Sequence, residues 1–89
     1  MDVKEAVKTA KSYVGDLFSD ETPVDLGLEE VEYDDSANVW NITVGFSRPQ
    51  HSRNALADLV KAPLRVYKIV RVSDLTKNVL SVKNREITF

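Results

Sequence analysis

The stretch VWNITVGFS, Val39 to Ser47, decides how this chain folds. Trp40, Ile42, Val44 and Phe46 fall on one parity. Val39, Asn41, Thr43, Gly45 and Ser47 fall on the other. A period of two with one apolar set is the pattern of a strand that buries one face. Antiparallel sheets tolerate a second, more polar face, so the pattern also names the sheet type. Burying the four large side chains is worth roughly 6–12 kcal/mol before conformational entropy is subtracted.

Upstream, Val24 to Tyr33 reads as the strand that pairs with it. Val24, Leu26 and Leu28 alternate, and then the parity shifts to Val31 and Tyr33. A one-residue slip swaps the faces of a strand, so the shift predicts a bulge near Glu29 and Glu30. Asp34, Ser36 and Asn38 lie in the turn between the two strands. Further upstream, Val3, Val7, Ala10, Val14 and Leu17 recur every three or four residues, one stripe of a helix. Ala6, Tyr13 and Phe18 widen the stripe, and Lys4, Lys8 and Lys11 lie on other faces. Asp2 is placed to cap the first turn. Ser19 to Pro23 is a cluster of helix breakers, so the helix is expected to stop near Phe18.

Downstream, Arg48 to Pro63 is a long connection in which Asn54 caps a short helix over Ala55 to Lys61. Leu64 to Val72 reads as a third strand, with Leu64, Val66, Val70 and Val72 on one parity and Lys68 interrupting them. Val79 to Phe89 reads as a fourth, with Leu80 and Val82 on one parity and Val79, Ile87 and Phe89 on the other. Ser73 to Asn78 joins the two. The expected fold is α+β: an N-terminal helix on one face of a four-stranded antiparallel meander, with a short second helix between strands 2 and 3.

The 89 residues suffice for one domain, and a chain of this length buries roughly 60–65% of its unfolded surface. There is no Cys, so no thiolate serves as nucleophile or metal ligand, and the chain fits a reducing compartment. The charged start MDVKEAVKTAK lacks the apolar run of a secretory signal, and no apolar run approaches the ~20 residues that span a bilayer. The expected setting is cytoplasmic, without a membrane partner. Charge is divided unevenly. Met1 to Ser47 has three Lys against eleven Asp/Glu, a balance of −8, and Arg48 to Phe89 has nine Lys/Arg against three, a balance of +6. In one meander the acidic and basic halves lie side by side, and internal neutralisation is the expected outcome.

The stretch RVYKIVRVSDLTKNVLSVKNRE, Arg65 to Glu86, resembles the closing hairpin of PepSY-like domains. The helix Ala6–Ala10–Val14 and the hairpin LEEVEYDDSANVWNITVGF are similar to that family's helix and first hairpin. The resemblance implies a small α+β domain, related in shape to cystatins, that binds or restrains protein partners and has no catalytic residues. Where the family's turn carries Asp and Gly, this chain has Ser73 and Lys77. Lys is poor at positive φ, so a different turn is expected here.

Candidate chemistry is sparse. His51 is the only His, and the chain cannot supply a usual zinc ligand set. No nucleophile-elbow motif surrounds Ser47 or Ser52. Asp34, Ser36 and Asn38 open like a calcium loop, but Val39 stands where Gly is needed and Gly45 where a bidentate Glu is needed. No cofactor, metal or catalytic residue is expected, and the chain is read as non-enzymatic. Glu29, Glu30 and Glu32 make the first strand acidic, as charged edge strands are. Arg48, His51, Arg53 and Arg65 make the connection basic, and phosphate or nucleic-acid binding is the alternative reading of that segment. A pI near 5.3 and the lack of a nucleic-acid motif argue against it. The leading expectation is a protein-interaction domain, an inhibitor or immunity-type partner of a larger enzyme. It would use the open sheet face at Val39, Tyr67 and Ile69 to bind a protein or a second copy in a homodimer.

Overall fold

Asp2 starts the first helix as its sequence predicts: the side chain accepts a 2.8 Å hydrogen bond from the Glu5 backbone N–H. In the computed structural model, which describes residues 1–48 and 64–85, helix α1 spans Val3–Leu17. Ala6, Ala10 and Val14, one row at a spacing of four, are fully buried. Two alanines in that row let the helix backbone lie close against the sheet. The helix ends at Phe18, and a single 3-10 turn, Ser19–Glu21, follows. Thr22 then turns the chain with φ 46° and ψ 64°, a left-handed conformation that is costly for a β-branched residue.

The sheet is a meander: β1 (Val24–Asp34), β2 (Val39–Arg48), β3 (Leu64–Ser73) and β4 (Val79–Asn84) pair antiparallel in that order. Helix and sheet therefore form the α+β arrangement expected from the sequence. Ile42, Val44 and Phe46 of β2 are fully buried, as are Val70 and Val72 of β3. Val31, Ile42, Val70 and Val82 are mutual partners across all four strands, so one apolar row crosses the whole inner face. Phe18 leans on Phe46 with ring centroids 5.4 Å apart and seals the far end of the helix. Lys68, the interruption in β3, faces inward and is largely buried. Its ammonium lies 4.9 Å from the centroid of the Phe18 ring and hydrogen-bonds Asn84 Oδ1, so the charge has partners at the rim of the core.

Both strand pairs at the edges are irregular. The β1–β2 register shifts between Leu28 and Glu30, which leaves Glu29 as the extra residue, where the parity change placed the bulge. The β3–β4 register shifts between Arg71 and Val72. That second shift overturns the simple alternation expected for strand 4. Val79 and Val82 pack on the core together, and Leu80 bulges out with 53% of its surface exposed. The turn before β4 also departs from expectation. Lys77 adopts φ 63° despite its side chain, because the turn closes through Lys77 N–H to Ser73 C=O and Ser73 N–H to Asn78 C=O, both 2.9 Å. The short helix expected at Ala55 to Lys61 and the strand end at Ile87 and Phe89 lie outside the described residues.

Candidate functional site

The outer face of the sheet, away from α1, is where the acidic and basic halves meet. Gly27 of β1 and Gly45 of β2 are direct partners, and Arg65 of β3 lies over this pair. With no side chain at Gly45, the guanidinium crosses β2 and reaches Glu29 Oε1 through Nη2 at 2.7 Å and Nε at 3.3 Å. Its Nη1 donates to the Asp25 carbonyl at 3.1 Å. A Cβ at Gly45 would stand 2.8 Å from Glu29 Oε1 and 3.0 Å from Arg65 Nη2, in the path of the bridge. The hydrogen bonds that Arg65 donates to Glu29 raise its pKa further, against desolvation.

A second arginine makes the same crossing. Arg85 follows β4, and its Nη1 donates to Glu30 Oε2 of β1 at 2.7 Å and to Thr43 Oγ1 of β2 at 3.4 Å. Beside this second bridge lies a depression of about 350 Å³ lined by Glu30, Glu32, Asn41, Thr43, Ile69 and Arg85. Of the residues expected to form an apolar patch on this face, Tyr67 and Ile69 are half-buried, and Val39 is only 4% exposed. Val39 sits between Asp34 and Ser73 at the end where the two turns meet, joined by Asp74 N–H to Asn38 C=O at 2.9 Å. Of the basic connection, Arg65 is engaged by Glu29, Arg48 closes β2, and His51 and Arg53 lie outside the described residues. Glu29 and Glu30 of the acidic strand are paired with these arginines, and Glu32 is exposed.

The Asp-rich turn is held by its own side chains. Asp34 Oδ1 accepts from Ser36 Oγ at 2.6 Å, Ser36 N–H at 3.1 Å and Ala37 N–H at 3.3 Å. The Ser36 hydroxyl is the main cause of an Asp34 pKa below the ordinary value; desolvation opposes it, and the two backbone donors and Arg71 add to it. Beside it, Trp40 Nε1 donates to Asp74 Oδ1 at 3.0 Å, and the Tyr33 ring packs tilted against Trp40 with centroids 4.7 Å apart. Among the described residues no group of three or more His, Asp or Glu is placed to hold a metal.

A different surface lies on the other side of β1. Between α1 and this strand runs an open groove of about 540 Å³, lined by Val3, Lys4, Val7, Lys8, Lys11, Ser12 and Leu28. Its floor is apolar: Val3 is 41% and Leu28 44% exposed. Lys4, Lys8 and Lys11 follow at four and three residues, so they line one flank of the helix. Among the described residues none of the three forms an ion pair. Among the described residues β1 is an edge strand paired only with β2, and the backbone groups of its other edge face outward beside this groove. Sequence reasoning missed this site. The lysine spacing next to Val3 and Val7 was visible, but Leu28 and the open edge are brought there by tertiary structure.

No protein-family model matches the chain, and neither a curated protein nor a solved structure matches it. No helix among the described residues is long and apolar enough to cross a membrane.

Proposed function

We propose that this domain is a non-catalytic protein-interaction module whose contact surface is the groove between α1 and β1. The observation that carries this reading is the pairing of an exposed apolar floor with three lysines that form no ion pair among the described residues. On the outer sheet face Arg65 and Arg85 are engaged by Glu29 and Glu30. Exposed apolar surface rimmed by charge is a feature of protein contacts. The resemblance of the Arg65–Glu86 hairpin to PepSY-like domains supports a restraining partner of a larger enzyme, of inhibitor or immunity type. The lack of Cys supports a cytoplasmic setting. The outer sheet face, with Tyr67 and Ile69, is the place for a second copy if the domain dimerises.

The test is capture of a partner from the native host by the wild-type domain and by two variants. Leu28→Asp should abolish capture, and Tyr67→Ala should leave it intact. Parallel titrations with single-stranded and duplex DNA should show no specific binding across a salt series. Capture that survives Leu28→Asp contradicts the reading. So does salt-sensitive DNA binding that disappears in Arg48→Ala and Arg53→Ala.

A further inference from the structure

The groove and the free edge of β1 together specify what an occupant must look like. Gly15 of α1 lies against Leu26, its added Cβ 3.7 Å from Leu26 Cδ2, while Val3 and Val7 share the groove with Leu28. Helix and strand thus run side by side in opposite directions. From Val3 to Lys11 the helix rises about 12 Å. About four residues of extended chain cover that length.

An added strand beside β1 would present alternate side chains to two different surfaces. On the helix side it would meet Leu28 and the flank of Lys4, Lys8 and Lys11. On the outer side it would meet the parity of Glu30 and Glu32, partners of Thr43 and Asn41 on that face. Glu30 is held by Arg85, while Glu32 makes no ion pair among the described residues. One parity of the occupant is therefore matched by acidic and apolar side chains, and the other by basic ones. A second copy of β1 is excluded as the occupant, because its own Glu30 and Glu32 would face the same charges.

Resting on the interaction reading above, we propose that β1 accepts an extended peptide segment as a fifth strand. That segment carries Glu or Asp and aliphatic residues on one parity and Lys or Arg on the other. Main-chain hydrogen bonds to the free edge supply affinity, and the alternating charges fix parity and direction. The bulge at Glu29 limits the pairing to the stretch after it, from Glu30 towards Asp34, and to the groove beside Leu28.

The probe is an acetylated, amidated eight-residue peptide with Glu and Leu alternating at the odd positions and Lys at every even one. Controls are the same composition in blocks, and the patterned peptide with alternate backbone nitrogens methylated to prevent strand pairing. Binding is followed by backbone amide shifts and hydrogen exchange of the whole chain. The patterned peptide should shift and protect amides of β1 and shift those of α1 near Lys8. The block and N-methylated peptides should fail. Lys8→Glu with Lys11→Glu should weaken binding about tenfold, the effect of reversing two exposed charges. Retained amide dispersion shows that this variant folds, and the N-methylated peptide tests strand pairing on the unaltered protein. Equal binding of the N-methylated peptide, protection at β4 instead of β1, or no binding by the patterned peptide overturns the proposal. If that happens while Leu28→Asp still abolishes partner capture, the groove remains a contact surface and only the strand-addition mode falls.

Discussion

Gly45→Ala isolates the bridge that ties the acidic half to the basic half. The new Cβ would stand 2.8 Å from Glu29 Oε1 and about as close to the Arg65 guanidinium, so the two side chains must part. Both groups are the ends of long side chains, and Gly45 does not occupy a positive φ, so the β2 backbone accepts alanine without strain. Two effects of similar size then oppose each other. Replacing Gly in a compatible conformation stabilises by about 0.4–1 kcal/mol through the unfolded chain. Losing the Arg65–Glu29 pair, about one third exposed on each side, costs about 0.2–1 kcal/mol. The net change in urea unfolding is expected to lie within about 1 kcal/mol of zero. The diagnostic quantity is coupling. A double-mutant cycle with Glu29→Gln and Arg65→Met should show up to about 1 kcal/mol in the parent and close to none in the Gly45→Ala background. A loss above about 2 kcal/mol on Gly45→Ala alone, or undiminished coupling, refutes the reasoning. Either result would mean that Gly45 serves backbone packing rather than the passage of Arg65.

Three further expectations follow from local geometry. Phe46→Ala removes a fully buried ring and its contact with Phe18, and should cost about 3–5 kcal/mol in chemical unfolding; a loss under about 1 kcal/mol would contradict its place in the core. Lys77→Gly should raise stability by up to about 1–2 kcal/mol by relieving a left-handed conformation, visible as a higher melting temperature, while the exposed Lys77–Glu5 contact contributes little; a lower melting temperature would show that φ is not the controlling factor. Asp34 has a folded pKa below its ordinary value of 3.8, so its contribution is present above that pH and is lost as pH falls through the lower folded value; Asp34→Asn should flatten this acid limb of the stability curve, and an unchanged limb would contradict the turn's hydrogen bonds.

Periodicity carried the fold a long way. The alternation of VWNITVGFS named β2 and its buried face, Asp2 named the helix start, and the parity change after Leu28 located the bulge at Glu29. Each of these is local, set by neighbours in the chain. Leu80 was misassigned because β4 is short and a single bulge inverts the faces of its few apolar residues. Lys77 ran against its propensity because closure of the hairpin outweighs the cost of one left-handed residue. Val39 lies on the outer parity yet is buried, because two turns converge on it. The charge imbalance suggested internal neutralisation, and the Arg65–Glu29 and Arg85–Glu30 bridges join the two halves by a route the sequence hid. Arg65 and Glu29 lie on strands that are not neighbours, and only the register of Gly45 between them shows how they meet. The groove was hidden for the same reason, since a helix flank and a strand edge distant in sequence form it together.

Hydrogen exchange on the domain, alone and with its captured partner, tests the central claim most directly. The interaction reading predicts added protection in β1, Val24–Asp34, and in the first three turns of α1, with the outer-face residues of β3 unchanged. Protection confined to β3 and the basic connection, with β1 and α1 exchanging as in the free domain, would contradict it.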